Sequence, residues 1–200
     1  MTKTINYYFA LVSPWSLIGH ERLIGMARRH GADIRFKPVN VAKIFPATGG
    51  SMLKDRHPSR LAYRLVELRR WNEHLNFGLN IQPKFFPVPD KMASCLTILA
   101  GMKGHDMGIL ALAYMQAVWK DERDLSDPAT VAAIASEQGL DGPALLADSA
   151  DGSPAFSQWE ANTQEALEKG VYGVPWYVFE DEPFWGQDRL DFLERKLAGA

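Results

Sequence analysis

The stretch "YYFALVSPWSLIGHERL", residues 7 to 23, carries the transition on which the rest of the chain depends. Its first residues close the run "TINYYFAL" (4 to 11), rich in β-branched and aromatic side chains, which predicts a short buried strand. From about Ser16 to His30 the apolar residues Leu17, Ile18, Leu23, Ile24 and Ala27 recur at helical spacing, and Gly31 supplies the stop. Between strand and helix stand Ser13-Pro14-Trp15-Ser16, two hydroxyls where a Cys-x-x-Cys pair would make a redox centre. Backbone N–H groups and the positive end of the helix dipole at such a junction stabilise an anion, here a thiolate, a carboxylate or an enolate. The alternative is that Ser13 or Ser16 only caps the helix.

Outward from this junction, "ADIRFKPVNV" (32 to 41) reads as a second strand interrupted at Pro38, completing a strand, helix, strand unit. From about 42 to 168 the pattern is helix after helix. His57-Pro58 opens a helix with Leu61, Leu65, Leu68 and Leu75, and the proline-rich "PKFFPVPD" follows as a connection. Further helices are expected near 91 to 103 and 106 to 121, after Ser126-Asp127-Pro128, as short turns near 142 to 149, and from about 154 to 169. The last thirty residues return to strands, at Trp176 to Glu180 and Pro183 to Trp185 with a turn around Asp181, before a closing helix from about Asp188 to Leu197. Residues 1–41 and 169–200 therefore form an α/β domain, and 42–168 an all-helical insertion within it.

At 200 residues and 46% hydrophobic composition the chain can bury one good core. A formal charge of −2 gives no basic face, which argues against nucleic acid and for a small-molecule ligand. The N-terminus enters a strand pattern without signal-peptide features, so a cytoplasmic location is expected. The longest apolar run, "GILALAYM" (108 to 115), is too short to span a bilayer. Cys95, the single cysteine, lies in an apolar helical pattern and reads as a buried structural thiol. His20, His30, His74 and His105 are too scattered for a metal site; His57 is either a general acid or base or a helix-entry residue.

Two further motifs involve the C-terminal strands. In "GVYGVPWYVF" a Val-Pro precedes a strand; with Val174-Pro175 in the cis form, the Val174 backbone is open to pair with an extended, peptide-like ligand, the alternative being an ordinary turn proline. In "WGQDRL", Gly186, Gln187 and Asp188 precede the last helix, where the amides can hold a carboxylate and Asp188 can hold an ammonium or cap the helix.

A serine after the first strand, Val-Pro before the third and Gly-x-Asp-Arg after the fourth are spaced as in thioredoxin-like glutathione-binding proteins. The chain resembles, over nearly its whole length, the DsbA-like family that contains 2-hydroxychromene-2-carboxylate isomerases and kappa-class glutathione transferases; "SPWS", "GVP" and "FWGQDRLDFLE" carry the likeness. The resemblance implies that Ser13 contacts the sulfur of glutathione, that Val174 beside cis Pro175 pairs with its cysteinyl part, and that Gln187 and Asp188 meet its γ-glutamyl end. It implies a basic residue three positions before a tyrosine in the first inserted helix, here Arg60 before Tyr63, with Lys54 as the alternative. It further implies a homodimer and a glutathione-dependent isomerisation of 2-hydroxychromene-2-carboxylate to trans-o-hydroxybenzylidenepyruvate by reversible thiolate addition. The other readings are a kappa-like transferase acting on small electrophiles and a non-catalytic glutathione-binding module. A small aromatic substrate wants an aromatic wall, for which Trp15, Phe45, Phe85, Phe86 and Trp176 are candidates, and a cation for its carboxylate, Arg60 or Lys54.

Overall fold

The computed structural model describes residues 2–199. Strand β1 (Lys3–Phe9) leads into α1 (Pro14–Arg29), and β2 (Ala32–Pro38) returns parallel to β1 in the register Lys3–Ala32 through Phe9–Pro38. Strands β3 (Trp176–Phe179) and β4 (Glu182–Trp185) close a mixed sheet of order β2-β1-β3-β4, with β3 antiparallel to both neighbours. Helices α2 (Val41–Ala47), α3 (Pro58–Leu75), α4 (Lys91–Met102), α5 (Met107–Trp119), α6 (Pro128–Glu137), α7 (Gly142–Asp148) and α8 (Pro154–Glu168) lie between β2 and β3, and α9 (Leu190–Ala198) ends the chain. The fold is thioredoxin-like α/β with a long helical segment between its second and third strands.

Alternation along the central strands explains the layers. Ile5, Tyr7 and Phe9 of β1, with Tyr177 and Phe179 of β3, enter one core that also takes Leu17, Leu96, Leu110, Tyr114 and Trp119 from the helices. Tyr8 of β1, with Trp176 and Val178 of β3, faces the opposite way into a smaller core with Ile44 of α2 and Ala166 of α8. Both faces of the sheet are thus covered, and β1 reads as a nearly continuous apolar run. Cys95 is buried, and burial pushes its thiol up to about 11, as suits a structural residue.

The elements differ from the sequence expectations in instructive ways. The second strand stops at Pro38 because Asn40 caps α2, a short helix at the start of the expected helical region, by accepting from the Ala42 N–H at 3.0 Å. The backbone there is shared between sheet and helix: Val39 N–H still donates to the Phe9 carbonyl of β1 at 2.9 Å, while Thr163 Oγ1 of α8 accepts from Asn40 N–H at 3.0 Å and Asn162 donates to the Pro38 carbonyl at 3.3 Å. Strand β3 ends at Phe179 because Glu180 (φ 49°) and Asp181 (φ 62°) both take left-handed conformations in a two-residue hairpin. The closing helix is split into a 3₁₀ turn, Gln187–Arg189, and α9, whose buried Leu190, Leu193 and Leu197 form its inner stripe. No helix among the described residues is long and apolar enough to cross a membrane.

Candidate active site

The end of β1, the start of β3 and the end of β4 all meet at one edge of the sheet, because Tyr8 pairs with Trp176 and Trp176 with Trp185. Three segments that are distant in sequence are thereby brought together there. The first is the turn Ala10 to Ser13, closed by a hydrogen bond from Ser13 N–H to the Ala10 carbonyl at 3.0 Å. Ser13 is the N-cap of α1: its Oγ accepts from the Ser16 N–H at 3.2 Å, and Pro14 occupies the first helical position, where an N–H is dispensable. With the hydroxyl oxygen engaged as an acceptor, its proton stays available to donate to an anion at the helix N-terminus. Capping and anion stabilisation are therefore compatible at Ser13. Ser16 is buried, and its own hydroxyl has no partner.

The second segment is Val174-Pro175, a cis peptide bond. No backbone hydrogen bond among the described residues engages Val174, whose side chain packs in the smaller core. The third is Gly186 to Asp188. Gly186 donates to the Pro175 carbonyl at 2.9 Å and has φ 97°, a conformation open to glycine; a Cβ there would approach Asp188 Oδ1 to 2.5 Å. Asp188 is exposed and accepts from Arg189 at 2.6 Å, and it makes no capping bond to either following helix. Gln187 is buried, and its Oε1 accepts from Arg22 of α1 at 2.7 Å. Gly19 permits that approach, since a Cβ there would meet Tyr177 Oη at 2.7 Å and Gln187 Cβ at 3.0 Å.

Beside Trp15 opens a cleft of about 450 Å³, lined also by Arg56, Ser59, Arg60, Tyr63, Arg64 and Glu67. Arg60 and Arg64 share one face of α3, a turn apart. Arg64 lies with its guanidinium 5.1 Å from the Phe86 ring centre and 5.7 Å from that of Trp119. Burial first, and then the charge of Arg56, lower the Arg64 pKa to about 10; burial and Arg60 lower that of Arg56. Trp119 in turn donates its indole N–H to the Val12 carbonyl at 3.3 Å, tying the aromatic bed under Arg64 to the residue before Ser13. Lys54, in a 3₁₀ turn (Leu53–Asp55), and Phe85, under the Lys84 ammonium at 4.9 Å, lie outside the residues that line this cleft. His57 caps α3, accepting from the Ser59 N–H at 3.3 Å.

The serine at the N-terminus of α1 and the cis proline before β3 stand as the DsbA-like resemblance implies. The description "DSBA-like thioredoxin domain" matches residues 4–198.

The chain belongs to the DsbA-like thioredoxin family.

Within that family it groups with the isomerase branch: it is 31% identical to a 2-hydroxychromene-2-carboxylate isomerase of Sphingobium xenophagum, covering 98% of this chain and 99% of that one. A second such isomerase, from Pseudomonas sp. strain C18, is 28% identical over 98% of this chain and 91% of its own. The solved structure of a 2-hydroxychromene-2-carboxylate isomerase superposes with a TM-score of 0.83 at 25% identity, over 98% and 94% of the two chains. The fold is also shared with a cytosolic disulfide reductase, DsbM of Pseudomonas aeruginosa, solved with GSH (TM-score 0.68, 14% identity, 98% and 99% covered).

Arg56 and Arg64 were not singled out from sequence. An arginine at i+4 from Arg60 was the available signal; its depth depends on Phe86 and Trp119, which lie far along the chain.

Proposed function

We propose that this protein is an isomerase that interconverts 2-hydroxychromene-2-carboxylate and trans-o-hydroxybenzylidenepyruvate with glutathione as cofactor. The observation that carries the reading is the 31% identity, end to end, with a protein of that activity, in a chain whose redox position holds serine. The residues present fit glutathione: a hydroxyl donor at a helix N-terminus, a Val174 backbone free to pair with a peptide-like ligand, and arginines without an internal counter-charge. Ser13, Val174, cis Pro175, Gln187 and Asp188 would hold it, with Arg60 toward a carboxylate. Since Gln187 Oε1 is engaged by Arg22, its amide N–H₂ is the part left for the ligand.

Glutathione, when bound, supplies a thiolate that adds reversibly to the substrate's double bond, so that the bond rotates as a single bond and re-forms on elimination. Ser13 favours the thiolate over the thiol, because a hydroxyl donor and the α1 N-terminus together stabilise negative charge there. A free thiol with a pKa near ~8.5 is only a few per cent ionised at neutral pH, so this shift sets how much nucleophile is ready. A cysteine at position 13 would be open to a mixed disulfide with the same thiol whenever an oxidant takes up the two electrons, and serine gives the hydrogen bond without that trap. Trp15 and Tyr63 supply aromatic wall to the cleft, while its arginines attract the substrate's carboxylate. A homodimer in the cytoplasm is part of the same reading.

The test follows the ultraviolet absorbance of 2-hydroxychromene-2-carboxylate with purified protein, with and without glutathione. Rapid equilibration that needs glutathione supports the proposal; no acceleration by the wild type rejects this substrate.

A further inference from the structure

We propose that Arg64, with Arg56 beside it, is the specificity-determining site for a keto carboxylate on the aromatic substrate, leaving Arg60 to the cofactor. The inference rests on the isomerase reading of the same cleft.

Three guanidiniums, those of Arg56, Arg60 and Arg64, line one cleft, and no carboxylate among the described residues forms a salt bridge with any of them. The one acid in the lining, Glu67, is engaged by Arg70 at 2.6 Å. Arg56 is anchored by donating to the Ser51 carbonyl at 3.1 Å, with its guanidinium 5.7 Å from the Phe45 ring centre. Arg60 is exposed at the mouth, whereas Arg64 is withdrawn from solvent onto Phe86 and Trp119. Crowding like charges while desolvating one of them is unfavourable in the free protein, and an incoming anion offsets it. The aromatic bed holds the guanidinium by its face and leaves its edge donors for a ligand.

The position suits the chemistry. Through Trp119 and the Val12 carbonyl the bed is fixed to the turn that carries Ser13. A guanidinium edge offers two parallel N–H donors, matching a carboxylate or the pair formed by one carboxylate oxygen and the neighbouring keto oxygen. Negative charge builds on that keto oxygen as the double bond is attacked, and a fixed cation in a partly dry cleft stabilises it more than water does. A substrate lacking the carboxylate leaves the guanidinium unpaired, which is the circumstance in which a polar site discriminates most strongly.

The test titrates two ligands by tryptophan fluorescence in the presence of glutathione: trans-o-hydroxybenzylidenepyruvate and its methyl ketone analogue, which lacks the carboxylate. The wild type is expected to prefer the keto acid by at least about ten-fold, as for a partly buried charge-assisted pair. In Arg64→Leu that preference collapses to within about two-fold, while glutathione affinity, measured separately by calorimetry, holds; Arg64→Lys, which keeps the charge and loses the fork, falls between. Arg69→Leu removes an exposed cation from the same helix and is expected to keep the full preference. Retention of the preference in Arg64→Leu, or in Arg64→Lys alone should the leucine variant not fold, overturns the assignment. So does an equal loss in Arg69→Leu, or a fall in glutathione affinity matching the fall in keto-acid affinity. The absorbance assay reports the isomerase reading separately, because the ratio of the two binding constants does not depend on turnover.

Discussion

The two halves of the site are built from different materials. Around Ser13, Val174 and Gly186 the available groups are largely backbone: the N-terminus of α1, the Val174 backbone in the bend before β3, and a glycine at φ 97° donating to the Pro175 carbonyl. Across Trp15 the cleft is made of side chains, three arginines among which Arg64 lies on Phe86 and Trp119 and Arg56 on Phe45. A backbone site is held by the sheet and scarcely changes unless the fold does. A side-chain site can be re-specified by single substitutions, which is why the function proposed above gives the first region to a constant cofactor and the second to the substrate.

The largest effect that would sharpen this contrast comes from Ser13→Ala. Removing a donor aimed at developing or resident negative charge is expected to lower turnover on the order of 10²-fold, with only a few-fold change in glutathione affinity. An equal loss in both quantities, measured by absorbance kinetics and calorimetry, would mean that the hydroxyl only helps to bind and that the backbone half is a docking site.

Gly19→Leu attacks the same half through its packing. The added side chain must displace Tyr177 Oη and Gln187, so α1 shifts off the Gln187 segment, costing about 1–3 kcal/mol and lowering Tm by several degrees. Glutathione binding should weaken along with stability, which a calorimetric titration of the variant below its Tm would detect. Unchanged affinity would show that the α1 contact does not position Gln187 and Asp188.

A smaller effect is expected from Arg22→Ala, which removes the hydrogen bond to Gln187 Oε1 and frees that side chain. The cost is on the order of 1 kcal/mol in stability, read from denaturant midpoints, with the Arg64-dependent keto-acid preference unaltered. A change in that preference would couple the two halves and break the contrast drawn here.

The most modest prediction concerns pH and the seam between the halves. Asp90, before α4, turns a carboxyl toward the amides of Leu11 and Val12; its Oδ2 is buried without a partner, and burial raises its pKa to about 6. The folded protein thus binds this proton more tightly than the unfolded chain does, so its contribution to stability is complete at low pH, below the usual carboxylate range, and is lost as pH rises through about 6. Asp90→Asn removes the titration, so its Tm relative to the wild type should rise between pH 4 and pH 7 and then level off, by scanning calorimetry. A difference flat across that range would show that the Asp90 carboxyl titrates normally. His20 runs the other way: burial lowers it to about 4, so its stabilisation is lost as pH falls from the ordinary histidine range toward that value.

Much of this molecule was legible in the chain, for reasons tied to particular residues. Ser13-Pro14, Asp127-Pro128 and Ser153-Pro154 mark helix starts because a capping oxygen and a proline at the first helical position are local chemistry, and each is found capping in the fold. The three backbone-site motifs were readable because each is punctuated by Pro or Gly. Less visible was the end of β2, where α8 takes the hydrogen bonds of the Pro38 carbonyl and the Asn40 N–H, and so were the bounds of α2. The fate of Gln187 was hidden as well, since its partner Arg22 lies at the other end of the chain.

The sequence by itself determined the run of strand, helix, strand, helices and closing strands, the serine at the redox position and the Val-Pro and glycine-aspartate signals, because caps, turns and periodicity are set by residues within a few positions of one another, while the cis form of the Val174-Pro175 bond came from the fold. Only the tertiary structure decided which cation sits deepest. Helical phase puts Arg60 and Arg64 on one face, but depth is given by Phe86 and Trp119, whose approach depends on how α3, α5 and the 80–90 connection pack, and packing is a property of the whole core.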